Sequence, residues 1–215
     1  WQGVNGLAEY VGSKLTAVVQ AGASNQSFQR QDLFDQPAMP LSDKQNQGGG
    51  YVKGGANFNI DDKSNVFFNT GFISRQPQFD AVFPNFANVI NPDLQNEKIT
   101  SFELGYGFIT RNFTVNLNAY ITNWGNRFVS RTLFNTQGDS GTAQFKDIDV
   151  AHKGIELEGN YRPTKKLKIQ FMASLGDWRY TKDFTSTIFD NSNQQIGTGT
   201  LYLKDSKVGD AAQTT

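Results

Sequence analysis

Phe113-Thr114-Val115-Asn116-Leu117-Asn118-Ala119-Tyr120-Ile121 has an apolar residue at every odd position and a polar one at nearly every even position. Side chains of a strand point to opposite faces with a period of two, so the stretch reads as a strand with one apolar and one wet face. Just before it, Phe102, Leu104, Tyr106 and Phe108 alternate with Glu103, Gly105 and Gly107, and Thr110-Arg111-Asn112 joins the two segments. The pair predicts an antiparallel hairpin closed by a tight turn.

The same pattern extends in both directions. Downstream, Ile155, Leu157, Gly159 and Tyr161 oppose Glu156, Glu158, Asn160 and Arg162. Pro163-Thr164-Lys165-Lys166 turns the chain, and Leu167, Ile169, Phe171, Ala173 and Leu175 return opposite Lys168, Gln170, Met172 and Ser174. Upstream, Val66, Phe68, Thr70 and Phe72 face away from Asn69, Gly71 and Arg75, with Phe67 and Ile73 departing from the pattern. Val52, Gly54, Ala56, Phe58 and Ile60 alternate with Lys53, Asn57 and Asn59 ahead of the turn Asp61-Asp62-Lys63-Ser64. A first strand is expected from about Leu7 to Ala21, with Val11, Leu15, Ala17, Val19 and Ala21 on one face. That makes about seven strands. Long polar segments near 24–48, 76–98, 132–146 and 184–210 alternate with the tight turns and are expected to be loops.

Short turns alternating with long loops suggest that the apolar medium is lipid. Nine alternating residues span roughly 20–25 Å when tilted, the height of the apolar band of a transmembrane barrel. Composition agrees: only 37% of the 215 residues are AVILMFWYC, yet 18 are Phe, and mean hydropathy is −0.50. A barrel gives this average because lumen, turns and loops are wet and only a thin outer band is apolar. Above Ile121 and Leu175 the apolar face takes up Asn123, Gly125, Arg127, Asp177 and Arg179, as strands rising out of a membrane would. Trp124, Phe128, Trp178 and Tyr180 near that edge form either an aromatic girdle or packing within the loops.

Twenty basic residues balance twenty acidic ones, so no basic field points to nucleic acid. No cysteine is present, which removes disulfides, thiolate metal sites and cysteine nucleophiles. No run approaches the roughly 20 apolar residues of a membrane helix. The N-terminal residues lack a leader pattern, and both ends read as cuts through a longer chain. His152 is the only histidine and is expected to be solvated. Gly48-Gly49-Gly50 lacks the Lys-Ser or Lys-Thr of a phosphate loop. Asp147 and Asp149 read as a hydrated loop edge, and Glu103, Glu156 and Glu158 are expected to pair with Lys14, Lys53, Lys168 or Arg162. No catalytic residue, metal site or cofactor site is assigned; the chain is not expected to be an enzyme.

Asn91-Pro92-Asp93-Leu94-Gln95-Asn96-Glu97-Lys98 followed by Phe102-Glu103-Leu104-Gly105-Tyr106 resembles a signature in the barrels of TonB-dependent outer-membrane receptors, of Bacteroidetes type. The Trp-x-x-Arg-Phe pattern at Trp124–Phe128 and Val208-Gly209-Asp210-Ala211-Ala212-Gln213 are similar to the same family. The resemblance implies an all-β antiparallel transmembrane barrel of 22 strands in the outer membrane of a Gram-negative bacterium. It also implies a plug and a TonB-binding segment, both absent from residues 1–215, which would then be a partial barrel. Asn91, Pro92, Leu94, Glu97 and Glu103 would be structural: Pro92 stops the loop from extending the sheet, Leu94 anchors it, and Glu97 accepts backbone hydrogen bonds. Ligand contacts would fall at Arg75, Phe79, Phe83, Phe86, Trp124 and Trp178. Expected partners are outer-membrane lipid, the TonB complex, a small-molecule, glycan or peptide nutrient, and a surface lipoprotein. A passive porin or adhesin barrel shares every strand pattern, and a soluble antiparallel binding domain is the third reading.

Overall fold

The computed structural model describes every residue except 35, 36, 135–139, 191, 193, 210 and 211, and the side chains of Phe86 and Ser140. It is one antiparallel sheet of ten strands: β1 (Gln2–Val11), β2 (Leu15–Phe28), β3 (Gln45–Asn59), β4 (Ser64–Arg75), β5 (Glu97–Ile109), β6 (Phe113–Phe134), β7 (Ser140–Thr164), β8 (Leu167–Tyr180), β9 (Phe184–Phe189) and β10 (Gln195–Leu201). Strands β1 to β7 form a meander in which each pairs with the next. The lower half of β7 pairs with β8 and its upper end, Thr142–Phe145, with β9. Thus β8 and β9 form one rising path, interrupted where Lys182 pairs with Asp149 at 2.8 Å. Among the described residues nothing joins β1 to the far side, so the sheet is an unclosed part of a barrel.

The strand count exceeds the expected seven for two reasons. The predicted first strand is a hairpin, turned at Gly12-Ser13-Lys14 with the Gly12 N–H donating to the Leu15 carbonyl at 2.8 Å. Val11 and Leu15 are four apart, so the period of two runs unbroken across the turn and conceals it. Val11 pairs with Thr16 and so stands on the wet face, contrary to expectation. The segment 184–210, expected as loop, contains β9 and β10, and the chain then runs back along β8 through bridges at Arg179–Lys207 and Leu175–Thr214. Likewise the described residues of 132–146, expected as loop, are strand, and 135–139 lie outside the description.

Register assembles each face into continuous rows. Ala17, Ala56, Phe68, Leu104, Ala119, Ile155 and Leu175 lie side by side across seven strands. Leu104 is 60% exposed and Leu175 64%. An apolar surface this continuous does not face water in a soluble protein. On the opposite, inner face, Gln20, Lys53, Gly71, Ser101, Thr122, His152 and Trp178 form the matching row. They line a groove of about 850 Å³.

Two residues that depart from alternation now have explanations. Phe67 on the wet face lies across Gly105, so close that a Cβ there would meet its ring; the aromatic covers the strand glycine. Ile73 belongs to the next inner row toward the loops, Tyr51–Ile73–Ile99–Trp124–Val150–Tyr180, which is apolar throughout. At this level the outer face becomes charged: Lys153 pairs with Asp177 at 3.2 Å and Arg179 with Asp177 at 2.6 Å.

The expected ion pairs of the inward glutamates do not form among the described residues, because register places amides opposite them. Asn69 Nδ2 donates to Glu103 at 3.0 Å and Asn116 Nδ2 to Glu158 at 3.0 Å. Above the band the loops build cores of their own. Phe28, Val82 and Phe83 are buried together with Ile90 and Leu94 against them. Ile148, Val150, Phe184 and Val208 form a second core against Trp124, Trp178 and Tyr180. Of the two placements open for these aromatics, Trp124, Trp178 and Tyr180 therefore take packing within the loop end, not an outward girdle.

Candidate functional site: the loop end of the inner face

The family-like loop is held at both ends by its own signature. Asn91 is buried; its side-chain amide donates to the Ala81 carbonyl at 3.0 Å, and its Oδ1 accepts the Asp93 N–H at 3.0 Å. The Asn-Pro-Asp sequence is thus an Asx turn that ties the loop to the short helix α1 (Phe79–Val82). Leu94 packs on the Phe28–Val82–Phe83 core. Glu97 differs from expectation: its carboxylate accepts the Trp124 indole N–H at 3.1 Å and pairs with Arg75 at 3.5 Å. Register explains the meeting, since Arg75 and Glu97 are direct partners across β4 and β5.

Trp124 is also covered by a cation. The Arg127 guanidinium lies 4.5 Å and that of Arg75 5.8 Å from the ring centroid, within cation–π range. By alternation Trp124 and Arg127 belong on opposite faces, and sequence reading places Arg127 outward. A bulge between them removes one step of register and turns Arg127 inward. Its pivot is Asn126, at φ 57°. The Asn126 N–H donates to Asp149 Oδ1 at 2.9 Å, and its side-chain amide donates to Gln95 Oε1 at 3.1 Å and the Asn96 carbonyl at 3.2 Å. Gly125-Asn126 inside a strand pattern is the sequence signal that could have disclosed the bulge. Asp149 is thus occupied by the bulge and Lys182.

Above the indole opens a pocket of about 270 Å³, walled by Arg75, Glu97, Trp124, Arg127, Arg131 and Asp80 of α1. The other expected contact residues are distributed differently. Phe79 is 44% exposed, its ring 5.2 Å from that of Phe83. Phe83 is 2% exposed and belongs to the loop core, so it offers no surface for stacking. Phe86 lies in the 3-10 turn Pro84–Phe86, its side chain outside the description. Trp178 lines the inner groove, its indole N–H donating to the Tyr120 hydroxyl at 3.0 Å and its ring packed edge-on to His152. His152 is therefore half-buried against an aromatic instead of freely solvated. Among the described residues no three His, Cys, Asp or Glu side chains converge to hold a metal.

An outward apolar band, an inward polar groove, tight turns at one end and folded loops at the other define the wall of an outer-membrane barrel. The comparisons with known proteins agree. Residues 15–208 match the family model described as "TonB dependent receptor-like, beta-barrel", and the chain belongs to that family. Its members are transport proteins of the Gram-negative outer membrane, not enzymes. Among solved structures the chain is similar to the copper transporter OprC, at 16% identity and a TM-score of 0.67, over 86% of this chain and 32% of that one. The chain thus spans about a third of that protein's length, and the likeness shows the shared fold. No curated protein matches the sequence.

Proposed function

We propose that the chain is a section of barrel wall in a longer receptor that binds a scarce nutrient on the loop side and imports it with energy supplied through TonB. In this reading the plug and the TonB-binding segment lie outside residues 1–215, and 22 strands complete the barrel. The observation that carries it is the Arg75–Glu97–Trp124–Arg127 cluster, built by the family signature at the mouth of the inner groove. A guanidinium pair beside an indole suits a nutrient with polar or anionic groups on a flat ring or sugar, delivered free, as a peptide, or by a surface lipoprotein. Arg75, Phe79 and Trp124 would meet the ligand first and Trp178 deeper in the groove, with Phe86 at the rim. Phe83 would act only by supporting the loop.

The test compares growth on single limiting nutrients for cells lacking this receptor and cells lacking TonB. The reading expects one nutrient whose use is lost in both. Uptake that needs the receptor and persists without TonB would instead make the protein a passive porin.

A further inference from the structure

We infer that the turn end beneath β7 and β8 is a binding site for the headgroup of an anionic phospholipid. Arg111, Arg162, Lys165, Lys166 and Lys168 line a hollow of about 690 Å³ whose walls contain no carboxylate. The neighbouring turn hollow, about 540 Å³, is balanced: Lys14 and Lys63 are set against Asp61 and Asp62. Like charges gathered in one place repel, and nothing in the sheet requires them to sit together. The fold nonetheless holds them there, because the Arg162 N–H donates to the Asn112 carbonyl at 2.7 Å and locks the β5–β6 turn against the end of β7. Among the described residues none of the five takes part in an ion pair.

Position selects the anion. Leu167 and Ile169, 50% and 45% exposed, stand on the outer face next to the turn that carries Lys165 and Lys166, while Lys168 between them points to the inner face. A lipid whose chains lie along these two residues carries its phosphate to the level of the hollow, and the long cationic side chains reach it from the strand ends. Lysine ammonium and arginine guanidinium groups are the donors that phosphate oxygens accept. Tight turns of outer-membrane barrels face the periplasm, so the lipid belongs to the periplasmic leaflet.

The test places the full-length receptor in nanodiscs of dioleoylphosphatidylglycerol and dioleoylphosphatidylcholine and counts retained lipids by native mass spectrometry. The wild type is expected to retain phosphatidylglycerol in excess over its share. The triple variant Arg111→Gln, Lys165→Gln, Lys166→Gln should lose roughly tenfold or more of that preference, while Lys14→Gln with Lys63→Gln leaves it unchanged. Absence of a preference in the wild type, or equal loss in both variants, overturns the site. Absence would redirect the hollow toward a soluble periplasmic partner. If the triple variant does not form a barrel, a salt series on the wild type decides. The preference must weaken as ionic strength rises from about 0.05 to 0.5 M, and a salt-independent preference contradicts it.

Discussion

The two halves of β7 obey opposite rules. Toward the turn, Ile155 and Tyr161 point outward and are 52% and 43% exposed; toward the loops, Ile148 and Val150 point inward and are 5% and 1% exposed. The ladder with β8 is continuous from Val150 to Tyr161, so no bulge in that stretch makes the change. What changes is the medium. A strand turns its apolar side toward whatever is not water: lipid on the outside in one half, packed protein on the inside in the other. The switch from even to odd apolar positions therefore marks the membrane edge. It falls beside Lys153, whose pairing with Asp177 occupies the outer face there.

That contrast can be broken most severely at mid-band. Leu117→Arg places a cation on the outer face and should cost about 2–4 kcal/mol, whereas Thr132→Arg, above the edge on β6, should cost close to nothing. Denaturant unfolding of the receptor in lipid vesicles compares the two. Next in size, Val150→Ala opens a cavity in the loop-side core and should cost about 1–3 kcal/mol. Ile155→Ala only exchanges one lipid-facing side chain for a smaller one and should cost less by the same assay. Third, Asn126→Ala puts into left-handed backbone a residue without asparagine's tolerance of that conformation and removes the bonds to Gln95 and Asn96, for about 1–2 kcal/mol. Asn126→Gly should recover part of this, and amide exchange should show loosening confined to the Trp124–Arg127 bulge.

The smallest effect lies in the β3–β4 turn. Hydrogen bonds from the backbone N–H of Lys63, then that of Ser64, hold the Asp61 carboxyl below its ordinary range. A depressed folded value means the turn is fully stabilised above the ordinary carboxylate range and loses that stabilisation as pH falls through the lowered value. The protection of the Lys63 and Ser64 amides from exchange, taken relative to the intrinsic rate at each pH, should fall on acidification, and Asp61→Asn should remove that pH dependence.

The same contrast explains what the sequence discloses. Alternation is sharp at Phe113–Ile121 and Leu167–Leu175 because lipid on one side and water on the other sort residues by parity. Above the edge the ladder needs only backbone groups, so Thr132, Leu133 and Phe134 pair with β7 while their side chains show no period. Strands there read as loop, as did β9 and β10. The turn at Gly12-Ser13-Lys14 was hidden by unbroken parity, and the Asn126 bulge reversed the side assigned to Arg127. Of the candidate site, Glu97 and Trp124 stand in the stretches that resemble the family, and Arg75 is singled out by its place beside the second long loop. Their convergence was not legible, since it depends on register between β4, β5 and β6.

The most direct test of the membrane wall uses the absence of cysteine from this chain. Single cysteines are placed at 115–122 in turn, in the full-length receptor, with any native cysteines elsewhere removed. After reconstitution in vesicles, each is labelled with a fluorophore and exposed to lipid-chain and aqueous quenchers. The account predicts lipid quenching at the odd positions Val115, Leu117, Ala119 and Ile121, and aqueous quenching at Asn116, Asn118, Tyr120 and Thr122. Aqueous quenching at every position, or an alternation of the opposite phase, would contradict it.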